Sequence, residues 1–212
     1  MSQTPSPAPQ PSKDRSDRAA RVAAMKKAEK AHARRRRVLV VAIPTVAALA
    51  VAGGVTAVFL NRPQPPSLDA VKTFDYRGGQ HVETPVTYTE NPPVGGEHNP
   101  VWLNCGVYDA PVPNENAVHS MEHGAVWITY RPDLPSAQVD QLKSDVQGET
   151  YTVLSPYEGL PAPVVLSAWN HQLQLQSADD PRVDAFLAKY VQGAQTPEPG
   201  ALCSNGTGTP TG

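Results

Sequence analysis

Hydrophobic and polar positions along this chain change their period several times, and each change predicts an element. Residues 38–60, VLVVAIPTVAALAVAGGVTAVFL, run for 23 residues without a charge. As a helix rising 1.5 Å per residue they cover about 34 Å, enough to span a bilayer core, and they are read as a transmembrane helix. Pro44, Gly53 and Gly54 fall inside the run and are tolerated there, because in lipid the backbone has no better partner than itself.

Further along, GQHVETPVTY alternates like a strand, and the Pro-Pro and Gly-Gly pairs of TENPPVGGEHNP force a loop. His81 therefore sits on or beside a strand and His98 on a loop. In PNENAVHSMEHG, Asn114 reads as an N-cap, Glu115 as a first-turn acid and Gly124 as the stop of a short helix. AVWITY follows as a buried strand. SAQVDQLKSDVQG carries Val139, Leu142 and Val146 at helical spacing, TYTVLSP and PVVLSAW read as strands, and NHQLQLQ reads as a polar run. DDPRVDAFLAKYVQG predicts a last helix with Val183, Phe186, Leu187 and Tyr190 inward. This order, with an antiparallel hairpin, predicts an α+β fold: a small two-layer sandwich, ferredoxin-like or related, with the early Pro-rich segment draped over it.

Composition divides the rest. The 212 residues include 23 prolines and are 18% charged, which allows one ordinary domain plus appendages. The expected boundaries are a disordered, basic cytoplasmic tail at 1–37, the membrane span at 38–60 and a Pro-rich spacer at 61–73. An extracytoplasmic α+β domain follows at 74–203, with a disordered tail at 204–212.

Charge sets the topology. Residues 1–37 hold eleven Lys/Arg against three Asp/Glu, a net of +8; subtracting these from the chain's 18 and 20 leaves seven basic and seventeen acidic residues, or -10. Arg34, Arg35, Arg36 and Arg37 abut the amino side of the apolar run, whereas Arg62 alone lies just beyond it, so the amino terminus is expected to stay in the cytoplasm. A basic n-region of 37 residues and so long an apolar run fit an uncleaved anchor better than a secretory signal, whose apolar core is about 7–15 residues. The expected partners are the membrane itself and, for the basic tail, anionic lipid headgroups. The tail lacks the interleaved aromatics of a nucleic-acid arm, and nothing in the sequence names a protein partner.

Outside the cytoplasm the two cysteines, Cys105 and Cys203, form one possible disulfide closing a loop of nearly a hundred residues. Neither belongs to a C-x-x-C pair, which argues against redox catalysis.

Four of the six histidines, His81, His98, His119 and His123, fall within 43 positions. On a helix, His119 and His123 at i and i+4 share a face and can offer two imidazoles to one ion, with His98 and His81 completing the ligands. Zinc or copper suits such donors. Met121 would add a copper-like thioether only if the segment were a strand. His119-x-x-Glu122-His123 also has the order of inverted zincin proteases, with Glu122 activating water, but Gly124 ends the helix at once and no distant acidic ligand announces itself. The helix-terminal reading, in which the imidazoles favour the carboxyl end of the dipole, remains open. Phosphate-binding and nucleophile-elbow motifs, G-x-x-x-x-G-K-[ST], G-x-G-x-x-G and G-x-S-x-G, do not occur.

GGQHV, NPPVGGEHNP, CGVYDAPVPNENAVHSMEHGAVWITYRP and PVVLSAW occur in this order, and together they resemble the bacterial envelope family called domain of unknown function 3105, over roughly residues 74–192. His81, His98, His119, Glu122, His123, Gly124 and Tyr130 fall on its motif positions. The resemblance implies a membrane-anchored or secreted protein with a histidine-rich core motif and no established reaction.

The sequence thus points to a single-pass envelope protein that binds a divalent transition metal through His81, His98, His119 and His123. A hydrolase using Glu122 as base and a metal-free interaction module, whose histidines sense pH or form a polar core, remain alternatives. Protease added to intact cells stripped of their wall should trim the carboxyl-terminal domain and spare the basic tail. Trimming of the tail alone would contradict this topology.

Overall fold

The computed structural model describes residues 13–60 and 65–211, with side chains at 16–41 and 65–211. The chain forms two compact units, Met1–Gln64 and Pro65–Gly212.

In the first unit a single helix, α1 (Lys13–Leu60), runs for 48 residues. The basic tail is therefore helical from Lys13 rather than disordered. No proline or glycine occurs between Lys13 and Ile43, and Ala, Lys, Arg, Glu and Met are strong helix formers. Every described side chain of α1 is exposed, Val38, Leu39, Val40 and Val41 among them. Among the described residues no helix is long and apolar enough to cross a membrane. The expected span at 38–60 lies for the most part outside the described side chains, which stop at Val41.

The second unit is built on a six-stranded sheet in the order β1-β6-β5-β3-β4-β2, where β1 is Lys72–Thr73, β2 Gly106–Val107, β3 Val126–Tyr130, β4 Thr152–Pro156, β5 Val164–Ala168 and β6 His171–Leu175. Strand β3 is buried along its whole length, as expected for an apolar run covered on both faces. It pairs in parallel with β4 through the crossover helix α3 (Ser136–Val146) and antiparallel with β5. Hairpin β5–β6 turns through Trp169 and Asn170, with Asn170 at φ 62°, a left-handed position that Asn tolerates better than most residues.

Alternation along β3 sends Val126, Ile128 and Tyr130 into a core with Leu142 and Val146 of α3 and with Val183, Phe186 and Tyr190 of α4 (Arg182–Tyr190). Trp127 points to the opposite face and packs with Val153, Leu103 and Trp169 against Ala117, Val118 and Met121 of α2 (Asn114–Glu122).

Several expectations change here. The fold is α+β, but both faces of the sheet are covered, so it is not the two-layer sandwich expected. Nor is it ferredoxin-like. That unit runs β-α-β-β-α-β, whereas this chain runs β3-α3-β4-β5-β6-α4 with the parallel strands as direct neighbours. The polar run NHQLQLQ is in fact strand β6, whose Leu173, Leu175 and Gln172 are all buried. GQHVETPVTY is mostly loop, with an isolated bridge between His81 and His98. Asn114 is the first residue of α2 rather than its cap, which is Pro113. The fold also starts earlier than expected, since β1 lies within the spacer and pairs with β6.

Cys105 and Cys203 are bonded, with Cα atoms 5.4 Å apart. The tail beyond them is ordered to Thr211 rather than disordered. Thr207 bridges to Leu103, its N–H donates to the Trp102 carbonyl at 2.9 Å, and the Thr211 N–H donates to the Val107 carbonyl at 2.7 Å. Glycine, proline and threonine bury too little to hold a tail by packing, so backbone pairing and the disulfide do it. Reducing the disulfide is expected to lower the unfolding free energy by about 4 to 5 kcal/mol and to release the Thr207 amide to hydrogen exchange. An unchanged denaturation midpoint with and without reductant would contradict this.

Candidate metal centre

Helix α2 presents two unlike faces. Ala117, Val118 and Met121 enter the core, and His119, Glu122 and the C-cap residue His123 turn to the other side, yet all three are buried too. What buries them is the Pro/Gly-rich segment before β2 and the carboxyl-terminal tail.

That segment is fastened at two places. Asn170 in the β5–β6 turn accepts the Tyr76 N–H at 2.7 Å and donates to the Tyr76 carbonyl at 3.0 Å. Further on, the Val82 N–H donates to the His98 carbonyl at 2.7 Å and the His98 N–H to the Gln80 carbonyl at 3.0 Å. Together these bonds bring Gly78, Gly79, His81 and His98 over α2. A Cβ on Gly78 would stand 2.7 Å from the Glu122 Oε1 and 2.8 Å from Pro197, so only glycine permits this approach.

Glu122 is wholly buried, and a buried carboxylate must be compensated. The Gly79 N–H donates to its Oε1 at 2.5 Å, while His98 Nε2 and His81 Nε2 lie 3.0 Å and 3.5 Å from its Oε2. Burial raises the Glu122 carboxyl, but the hydrogen bonds from His98 and the Gly79 N–H outweigh it and hold the group below its usual range. Glu122 is therefore an anion at neutral pH.

The imidazoles are oriented by their second nitrogens. His98 Nδ1 is 2.8 Å from the Gly96 carbonyl, His119 Nδ1 2.7 Å from the Asn99 carbonyl and His123 Nδ1 2.6 Å from the Leu202 carbonyl. A carbonyl oxygen only accepts, so each Nδ1 carries a proton, and Nε2 is the nitrogen left to face the cluster. Metal-ligating histidines are commonly fixed by such an N–H bond to a carbonyl. Burial, with the neighbouring His123, His98 and His81 rings, pulls His119 down to about 4, so its Nε2 is unprotonated at neutral pH.

Two overlapping donor groups result: His81, His98, His119 and Glu122, and His119, His123 and Glu198, with donor atoms in each lying within 4.8 Å of one another. Tetrahedral zinc with bonds of about 2.0–2.1 Å needs donors roughly 3.3 Å apart, a closure of small side-chain movements. Among these donors, His98, His119, Glu122 and His123 are buried, while His81 and Glu198 reach solvent. Trp169 packs edge-on against His98 at 5.7 Å, and Trp102 lies 5.8 Å from His119 and 5.0 Å from His123. Both indoles wall the cluster.

All four histidines singled out in the sequence lie in one contiguous ring cluster, with His119 and His123 centroids 4.5 Å apart. His171 lies elsewhere, its ring 4.7 Å from Tyr190, and His32 is on α1. Met121 is in the apolar core, which removes it as a thioether ligand. Glu198, the Gly78-Gly79 pair and the two indoles carry no such signature in the sequence. The one pointer to Glu198 is the disulfide, which returns the Cys203 end of the chain to the centre of the domain.

Residues 81–205 match the family described as protein of unknown function (DUF3105), and the chain belongs to that family. No curated protein and no solved structure matches the chain.

The low value for His119 has a consequence for stability. Unfolded, the residue titrates near 6.5; folded and metal-free it titrates at about 4, so unfolding binds a proton between these pH values and stability falls as pH is lowered through the window. Urea midpoints of the metal-free protein at pH 7, 5.5 and 4.5 should drop more steeply for the wild type than for His119→Gln. Parallel curves would contradict the assignment.

Proposed function

We propose that this protein is a single-pass, membrane-anchored envelope protein whose outer domain binds a divalent transition ion, zinc or copper, through His81, His98, His119 and Glu122, with His123 beside them. The observation that carries the reading is the fixing of the His98 and His119 Nδ1–H groups by backbone carbonyls, in rings whose remaining nitrogens gather with His81 around the buried Glu122 carboxylate, while His123, fixed in the same way, faces Glu198. With a single proton, held on Nδ1, His98 would turn an acceptor nitrogen toward an acceptor oxygen of Glu122 at 3.0 Å; a second proton or a metal ion between them satisfies both. Three imidazoles and one carboxylate suit zinc or copper and not magnesium or calcium.

The anchor reading rests on the uncharged run at 38–60 and on four exposed aliphatic residues, Val38, Leu39, Val40 and Val41. Arg34 to Arg37 would meet anionic headgroups on the cytoplasmic side. The Cys105–Cys203 disulfide agrees with an oxidising compartment for the domain. The hydrolase reading is disfavoured, since Oε1 and Oε2 of Glu122 are both engaged and a general base needs a free oxygen toward water.

The test is the metal content of the full chain, purified in detergent without chelator and measured by elemental mass spectrometry. About one equivalent is expected in the wild type and in His171→Ala, and none in His119→Ala. A wild type that takes up no transition metal at micromolar free ion would contradict the proposal and leave the cluster as the polar core of an interaction module.

A further inference from the structure

Resting on that metal-binding reading, the two donor groups and their one shared residue carry a more specific conclusion. We infer that the domain holds a single divalent transition ion in either of two adjacent positions, an outer one at His119, His123 and Glu198 and an inner one at His81, His98, His119 and Glu122, with His119 passing between them.

Lone-pair accounting favours a single ion. His119 Nδ1 is committed to the Asn99 carbonyl at 2.7 Å, so only Nε2 can bind metal, and one imidazole nitrogen serves one ion at a time. Yet His119 belongs to both donor groups. If the inner position takes it, the outer one keeps only His123 and Glu198, too few for a closed site. The two positions therefore cannot both have their full donor sets; with His119 in the outer one, the inner one keeps His81, His98 and Glu122 and is one donor short.

The positions also differ in strength and access. The inner group has four donors, and three of them, His98, His119 and Glu122, are buried, which fits a closed tetrahedral site. The outer group has three donors, leaves a coordination position open, and includes a Glu198 side chain 44% exposed, 3.4 Å from His123 Nε2. It is the weaker position and the more open to solvent. Its carboxylate, Glu198, comes from the carboxyl-terminal tail. The Leu202 carbonyl orients His123, and the neighbouring Cys203 is bonded to Cys105. The Glu198 N–H donates to the Glu122 carbonyl at 3.1 Å, which ties the two positions to each other. The outer position is thus a relay on the way to the inner one.

Titration of the full chain in detergent with Co²⁺, followed by its visible absorption, separates the cases. The wild type should bind one equivalent and no second of similar affinity. His98→Ala should still bind one equivalent, at least tenfold more weakly, at the outer position, and adding Glu198→Gln to it should remove binding altogether. His98→Gln serves if truncation unfolds the domain, with circular dichroism of every variant as the control. In stopped-flow loading, Glu198→Gln alone should be at least tenfold slower than wild type. Two equally tight equivalents in the wild type would overturn the inference in favour of a dinuclear site. Loss of all binding in a folded His98 variant, or equal binding with and without Glu198→Gln, would overturn it in favour of a single inner position. In those three outcomes the metal-binding reading survives; a folded wild type that binds no Co²⁺ ends both.

Discussion

The buried carboxylate of Glu122 is the constraint around which the second half of this protein is arranged. Taking an ionised carboxylate out of water costs several kcal/mol even after relaxation, and the chain meets that cost with groups drawn from distant parts of the sequence. The Gly79 N–H and the His81 and His98 rings come from the segment before β2, and the Glu198 N–H reaches the Glu122 backbone from the tail. Each needs its own anchor. Asn170 holds Tyr76, the paired backbones of residues 80–82 and His98 hold each other, and the disulfide holds the tail. Loops poor in secondary structure are in this way fixed by the requirements of one side chain.

Much of the framework is legible in the sequence. Strand β3, helices α3 and α4 and strands β4 and β5 carry the apolar periods that their burial demands, and Gly124, at φ 99°, marks the end of α2 by the left-handed backbone that glycine accepts. Strand β6 is not legible, because its glutamines alternate with leucines in a polar-looking run and Gln172 is buried by bonding the Pro92 carbonyl and Ser167. The second covered face is hidden for a related reason. The segment that covers it has no period, and its position depends on hydrogen bonds between residues some ninety positions apart.

The site divides in the same way. Histidines crowded into one stretch, two of them at helical spacing, stand out as a cluster in the sequence alone. Glu198 sits among prolines in a tail with no apolar pattern, and only the disulfide partner of Cys105 hints that it returns. The orientation of each ring depends on the carbonyls of Gly96, Asn99 and Leu202, and a backbone carbonyl leaves no mark in a sequence. The charge state of Glu122 is equally a product of assembly, since burial pushes it one way and its donors push it further the other.

The central claim is that the buried, carbonyl-locked His98 and His119 converge with His81 and Glu122 on one metal ion. X-ray absorption at the metal edge of the zinc-loaded protein measures that coordination directly. The account predicts a four-coordinate shell of three imidazole nitrogens and one carboxylate oxygen at about 2.0–2.1 Å, with the outer-shell scattering of imidazole rings. A six-coordinate shell of oxygens without imidazole scattering would contradict it.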